Sequence, residues 1–151
     1  NKRFERQVSL THNLSARYED RWVELKANPK SPCIFTQGID LLQVPVRHGE
    51  GRIVTPDETT LDRLEQENLI CLQYTNPNTS EITQEYPYNP NGSPKAIAGL
   101  TDPTGRVLGL MPHPEAFNHS TNHPHWANSN DKKTRTLGTV IFENAVNYLK
   151  K

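Results

Sequence analysis

The residues best suited to chemistry are a histidine and a glutamate two positions apart in Met111-Pro112-His113-Pro114-Glu115. They directly follow a short apolar stretch, Val107 to Leu110, which predicts a buried strand. Strand ends in α/β sheets commonly present catalytic side chains. A carboxylate that hydrogen-bonds one imidazole nitrogen fixes the tautomer and leaves the other nitrogen as a general base. The alternative is an ordinary polar pair in a loop.

A second candidate is the segment Arg47-His48-Gly49-Glu50-Gly51-Arg52, in which two glycines flank Glu50. This glycine spacing predicts a tight, closely packed backbone turn. One interpretation is a site loop that includes His48 and Glu50. The other is a structural turn whose charges pair with one another.

Metal binding and a local nucleophile are the remaining chemical possibilities. Three histidines, His119, His123 and His125, fall within seven residues and could bind zinc. Their context is a polar loop without helical spacing, so we expect no metal site there. Cys33 and Cys71 lie 38 positions apart, which gives no metal spacing, and neither stands in a nucleophile elbow. Both cysteines are expected to be structural.

Composition excludes several classes of protein. The 151 residues include 33% apolar residues and 8 glycines, below the roughly 45–50% of an ordinary domain when glycine is counted. No apolar run approaches the roughly 18 residues that span a bilayer. The 17 basic and 17 acidic residues leave no positive excess for nucleic-acid binding. The apolar sequence is also too regularly patterned for a fully disordered chain.

The elements that must position these residues are mostly strands, with two or three helices, which indicates an α/β fold or a piece of one. Strands are predicted at residues 4–10, 18–26, 39–46, 69–74, 96–100 and 107–111. Stretch 75–95, which proline and Asn-Gly interrupt, and the long polar stretch 112–135 are predicted loops, and a closing helix is predicted at 137–149.

Local signals sharpen some of these boundaries. Thr55-Pro56-Asp57-Glu58 predicts a helix start with Thr55 as the N-cap and Pro56 at the first helical position. Leu61 and Leu64 form the apolar stripe of that helix. Pro45 indicates an edge or terminating strand. Asp102-Pro103-Thr104-Gly105 is a hairpin turn signal.

Four motifs in order carry a resemblance to a known family. They are PVRHGEGR at residues 45–52, NPNGSP at 89–94, IAGL at 97–100 and GRVLGLMPHPE at 105–115. Together they resemble the glutaminase subunit or domain of phosphoribosylformylglycinamidine synthase, a class I glutamine amidotransferase of purine synthesis. The resemblance covers nearly the whole chain. It implies the C-terminal part of a flavodoxin-like, three-layer α/β domain with several strands and two or three helices.

The resemblance also implies a mechanism and partners. A Cys–His–Glu triad hydrolyses glutamine to glutamate and ammonia, and His113 and Glu115 correspond to its histidine and glutamate. Ammonia passes to a synthetase subunit or domain, which is expected to bind ATP and magnesium, and a small accessory subunit is a further implied partner. No cofactor is expected on this chain, and no nucleic acid or membrane partner. The expected location is the cytoplasm.

One departure from the family pattern is large. The G-x-C-x-G elbow that holds the nucleophile has no counterpart in this sequence, so residues 1–151 are expected to be a partial domain, inactive alone. The alternative is a non-catalytic scaffold or regulatory module that docks on a synthetase. The polar region 117–136 is expected either to contact the partner or to be a solvated loop.

Overall fold

The computed structural model describes residues 6–127 and 137–150, and this part of the chain contains eight strands and two α-helices. The strands are β1 (Ser9–His12), β2 (Glu19–Ala27), β3 (Leu41–His48), β4 (Glu50–Val54), β5 (Ile70–Asn76), β6 (Glu81–Ile82), β7 (Ile97–Thr101) and β8 (Leu108–Leu110). The helices are α1 (Glu58–Gln66) and α2 (Val140–Leu149).

The main sheet has the strand order β3-β2-β5-β7-β8, with β6 paired to β5, while β1 and β4 form a separate two-stranded sheet. All pairings among the described residues are antiparallel. Pro45 lies in β3, at the edge of the main sheet, where its missing N–H costs no ladder bond. The edge assignment made from the sequence is therefore confirmed.

Two apolar clusters hold the elements together. The larger one joins residues of β2, β3, β5 and β7 with Ile141 of α2. The smaller one joins Leu61 and Leu64 of α1 with Ile70 and Ile97 at the beginnings of β5 and β7. The narrow leucine stripe predicted for α1 is thus its buried face, and each helix packs in its own cluster.

The predicted strands at 18–26, 39–46, 69–74, 96–100 and 107–111 correspond to β2, β3, β5, β7 and β8. The turn between β7 and β8 is confirmed as a hairpin, and Gly105 has a φ of +71° there. A strand prediction for residues 4–10 is wrong for residues 6–8, because β1 begins at Ser9; residues 4 and 5 lie outside the described part.

The predicted N-cap of α1 is also wrong. Asp57 caps the helix, and its Oδ1 accepts the Thr60 N–H at 2.7 Å. Thr55 instead donates its hydroxyl to the Asp57 carbonyl oxygen at 3.0 Å. The extended backbone of Asp57, with a φ of −157°, places its carboxylate over the first turn, which a threonine two residues earlier cannot reach.

The two segments predicted as loops, 75–95 and 112–135, contain some regular secondary structure. Stretch 75–95 includes the end of β5 and the short strand β6. Short 3-10 helices occur at Pro94–Ala96, Pro114–Ala116 and Ser120–Asn122. The closing helix α2 begins at Val140, later than predicted. The glycines of segment 47–52 predict a turn. In the structure most of this segment is strand, since β3 continues to His48 and β4 begins at Glu50. The reason is that β1 pairs with β4.

Candidate functional site

His113 is anchored to the edge of the main sheet. Its backbone N–H donates to the Pro45 carbonyl oxygen in β3 at 2.8 Å. The 3-10 helix Pro114–Ala116 follows at once, and the Ala116 N–H closes it on the His113 carbonyl oxygen at 3.2 Å. Phe117 then enters the core, fully buried and 5.0 Å from the Trp22 ring centroid. A sheet edge before the pair and a buried aromatic ring after it fix the backbone between them.

The side chains of His113 and Glu115 are hydrogen-bonded, with Nδ1 of the histidine 2.7 Å from Oε1 of the glutamate. An ionised carboxylate only accepts, so Nδ1 carries the proton in this contact. The Nε2 atom therefore keeps its lone pair and can take a proton from a nucleophile. The two side chains are 39% and 59% exposed, so reactants can reach them.

An open cavity of about 320 Å³ borders this pair. Its walls combine His113 and Glu115 with apolar side chains from β8 and α2, among them Leu108, Leu110 and Phe142. Apolar walls with a few convergent polar groups are typical of small-molecule sites.

His48 and Glu50, the candidates from the glycine-flanked segment, lie in different surroundings. His48 is buried at the end of β3, 6% exposed, and is close enough to His113 for the charge of His113 to lower the His48 pKa. Glu50 is exposed at the start of β4, with Oε1 3.3 Å from Nδ1 of the exposed His12. Neither His48 nor Glu50 is among the residues that line the cavity beside His113.

Asn13 is a residue that the sequence did not single out. Its side chain is buried and bonds both the backbone and the ring of His48. It also accepts the Gly51 N–H, which joins β4 to the same cluster. The only local signal is a short Asn-x-Ser sequence, which the abundance of asparagine obscures. The contacts span 35 or more positions, so they are invisible to periodicity.

Of the histidines considered for zinc, His123 and His125 lie together, with ring centroids 5.7 Å apart. No group of three or more metal-ligating side chains that could hold an ion occurs among the described residues. His123 is buried against Trp22, and its Nε2 lies 3.2 Å from Gln43 Oε1, while His119 bonds Thr121 locally. The described residues therefore give the zinc alternative no support. His123 and Phe117 also show that the 117–127 part of the predicted loop is partly packed; residues 128–136 lie outside the described part.

The two cysteines are free and fully buried in the larger core cluster, as expected for structural residues. A hydrogen bond from the Cys71 thiol lowers the pKa of Cys33 to about 6. Neither cysteine lines the cavity beside His113. A lowered thiol pKa at a buried position without access to the histidine does not make Cys33 the nucleophile of this site.

Fold and site together define a class. A carboxylate-oriented histidine follows the last strand of a sheet in an α/β fold, as in enzymes that activate a nucleophile for acyl transfer. The chain belongs to the CobB/CobQ-like glutamine amidotransferase domain family, whose sequence profile matches residues 1–149.

Named relatives agree with this family. The chain is 41% identical to phosphoribosylformylglycinamidine synthase subunit PurQ of Methanococcus maripaludis strain C5, over 97% of this chain and 57% of the relative. It is 40% identical to the subunit of the same name from Dehalococcoides mccartyi, over 94% of this chain and 53% of that relative.

A solved structure supports the fold. PurLQS from Thermotoga maritima contains a chain that superimposes with a TM-score of 0.65 at 25% identity, covering 95% of this chain and 54% of that one. The expected class I glutamine amidotransferase-like α/β fold is therefore confirmed. The chain spans somewhat more than half the length of these relatives. Among the described residues, no helix is long and apolar enough to cross a membrane.

Proposed function

We propose that this chain supplies the histidine and glutamate of a Cys–His–Glu triad that hydrolyses glutamine to glutamate and ammonia. The observation that carries the proposal is the 2.7 Å contact between His113 Nδ1 and Glu115 Oε1, which leaves Nε2 as a base. Membership in a glutamine amidotransferase family supports it. We assign the nucleophilic cysteine to a segment outside residues 1–151, because neither Cys33 nor Cys71 stands in a nucleophile elbow.

His113 moves one proton in each half of the reaction. Nε2 takes the thiol proton, and the thiolate attacks the side-chain amide carbon of glutamine to give a tetrahedral oxyanion. The C–N bond breaks as His113 returns the proton to the leaving nitrogen, which releases ammonia and leaves a thioester. His113 then deprotonates a water molecule, which attacks the thioester. Glutamate leaves as the proton returns to the cysteine sulfur.

Glu115 has two roles in these steps. It holds the ring in the Nδ1–H tautomer, so that Nε2 faces the reactants, and it stabilises the imidazolium that forms while His113 holds the extra proton. A thioester-forming site needs donors for the oxyanion as well. We assign those donors to backbone amides beside the nucleophile, outside this chain. The 151-residue chain alone is therefore expected to release no glutamate from glutamine.

The proposal includes the destination of the ammonia. The relatives are named as subunits of phosphoribosylformylglycinamidine synthase, and the solved neighbour is a chain of PurLQS. We propose that ammonia passes to a synthetase subunit or domain for purine biosynthesis, with ATP and magnesium bound there and a small accessory subunit in the assembly. Two unpaired, buried thiols are consistent with the cytoplasmic location that we propose.

Substitution of Glu115 tests the proposal in the longer protein that contains this chain and a nucleophile. Glu115→Gln removes the negative charge that stabilises the imidazolium, so kcat for glutamate release should fall at least about 100-fold. Glu81→Gln, the same change at an exposed position in β6, should leave kcat unchanged. Full glutaminase activity in Glu115→Gln would contradict the role of Glu115, whereas no glutaminase activity in the unsubstituted longer protein would favour the non-catalytic docking role.

A further inference from the structure

A row of three polar side chains crosses the main sheet on the face opposite the larger apolar cluster. Glu24 lies in β2, and its cross-strand partners are Gln43 in β3 and Thr75 in β5. Val23, the preceding residue of β2, belongs to the larger cluster, and successive side chains of a strand point to opposite faces. The Gln43 amide donates to Glu24 Oε2 at 3.0 Å. The hydroxyls of Thr75 and Ser80 lie 3.2 Å and 3.4 Å from the other carboxylate oxygen.

The carboxylate of Glu24 is buried without a cation. The residue is 8% exposed, and no ion pair among the described residues includes it. Arg21, earlier in β2, pairs instead with Glu19 and stacks on the Tyr86 ring. Lys26, two residues after Glu24, makes no ion pair within the described part of the chain either. Neutral donors satisfy the oxygens of the carboxylate but do not balance its charge, whereas buried charges in folded proteins are usually paired.

Glu24 lines an open cavity of about 390 Å³, a size typical of small-molecule sites. The polar row and Trp22, which precedes Glu24 by two residues in β2, form its floor. The walls come from the segments after β5, before β7 and after His113, and include Pro77, Pro87, Tyr88, His123, Pro124 and His125. Proline restricts the backbone of each of these segments, which favours a preformed cavity. Among the described residues that line it, Glu24 is the only acid.

His123 connects a wall of the cavity to Glu24 through Gln43. Because Gln43 Nε2 donates to Glu24, its Oε1 faces His123 Nε2 at 3.2 Å, and this nitrogen carries the ring proton. The other nitrogen, Nδ1, accepts the His125 N–H at 3.1 Å. The His123 ring, 4.6 Å from the Trp22 ring centroid, is therefore neutral. It positions the wall and does not supply the charge that would balance Glu24.

The groups around the cavity suit an organic cation. A carboxylate accepts strong, charge-assisted hydrogen bonds from guanidinium and ammonium groups. The aromatic rings of Trp22 and Tyr88 attract a cation and also pack against its alkyl stem. An anion would be repelled by Glu24, and a neutral ligand would leave the buried charge unbalanced.

We propose that this cavity binds a guanidinium or alkylammonium group, with Glu24 as its counter-ion and Trp22 and Tyr88 as its aromatic contacts. The group belongs either to a free small molecule or to an arginine or lysine side chain of the synthetase partner. The cavity shares no lining residue with the one beside His113, so this inference does not depend on the glutaminase reaction.

Two probes of the same shape test the site in the longer protein without its synthetase partner. Butylguanidinium carries the positive charge, and butylurea is its neutral isostere; an NMR titration of each probe gives its Kd. Glu24→Gln removes the negative charge at nearly constant size, and Tyr88→Ala removes an aromatic wall without changing the polar row. Glu85→Gln, at an exposed carboxylate outside the cavity, is the matched control.

The same titration with the synthetase partner added identifies the source of the cation. Loss of butylguanidinium binding in the complex shows that a side chain of the partner occupies the cavity. Binding that persists in the complex shows that the cavity serves a free small molecule.

We expect butylurea to bind at least about 10-fold more weakly than butylguanidinium, the value of one charge-assisted hydrogen bond. Glu24→Gln should abolish this preference, Tyr88→Ala should weaken butylguanidinium binding about 3- to 10-fold, and Glu85→Gln should bind as the wild type does. The inference is overturned if butylguanidinium does not bind, if the two probes bind equally, or if the preference survives in Glu24→Gln. If Glu24→Gln does not fold, unchanged binding in Tyr88→Ala overturns it instead.

Discussion

Gly138, just before helix α2, packs against the backbone of Pro114, which lies between His113 and Glu115. Replacement of Gly138 by alanine should therefore displace these two functional side chains. The Gly138 N–H donates to the Phe117 carbonyl oxygen at 2.9 Å. An added Cβ would lie 2.0 Å from the Pro114 carbonyl oxygen and 2.7 Å from its carbon. Both are backbone atoms of the 3-10 helix between the two functional side chains, so no flexible side chain can give way.

The size of the effect follows from this contact. Relief to an ordinary separation requires a backbone movement of about 1 Å or more. Overpacking of this kind costs typically about 1–3 kcal/mol of unfolding free energy. A displacement of about 1 Å at a catalytic group can lower the rate about 100-fold. We therefore expect Gly138→Ala to lose far more activity than its modest loss of stability explains.

The assay compares glutamate release and thermal unfolding of the longer protein under conditions where each variant is folded. Gly109→Ala is the matched control, because its added Cβ would make only an ordinary 3.9 Å contact with the Leu100 carbonyl oxygen. The control should keep wild-type kcat/KM. If Gly138→Ala also keeps it within twofold, the claim that this contact positions the pair is refuted.

Two further predictions concern the scaffold. Asp57→Ala removes the carboxylate that accepts the Thr60 N–H, so it should lower the unfolding midpoint of the protein more than Thr55→Ala does. This hydrogen bond lowers the pKa of Asp57, so the difference between the two variants should be present at neutral pH and disappear as the pH falls through that pKa. Thermal melts at several pH values measure this difference. The Asn91 Nδ2 group donates to the Gly51 carbonyl oxygen at 2.7 Å and to the Tyr74 hydroxyl oxygen at 3.0 Å, and Asn91→Ala leaves both buried oxygens without this donor. The substitution should lower the free energy of unfolding, measured by chemical denaturation, by about 2–3 kcal/mol. Asn78→Ala, at an exposed position, should change it little. Equal stability of the two asparagine variants would contradict the second prediction.

The sequence predicted those elements whose signals lie within a few neighbouring residues. The leucines of α1 and the turn before Gly105 are recognisable from spacing and residue type alone. The wrong N-cap shows the limit of such signals, since Thr55 and Asp57 both suit the position and only the backbone geometry chooses Asp57. Strand β4 was missed because its partner β1 lies about 40 residues away.

In the candidate site, too, contacts between near neighbours were predictable from the sequence, and contacts between distant residues were not. The His113–Glu115 contact spans two residues, and its spacing alone suggested it. The group around His48 depends on Asn13, 35 positions earlier, and on close packing by Gly51. Asparagine and glycine have many structural uses, so their part in this cluster becomes visible only when the strands are assembled.

The most direct test of the central claim is the steady-state rate of glutamate release from glutamine by the longer protein carrying His113→Asn. Asparagine cannot accept and return a proton as imidazole does, so the account predicts loss of nearly all glutaminase activity while the protein remains folded. Glutamate release at the wild-type rate in this variant would show that His113 is not the base, and would contradict the account.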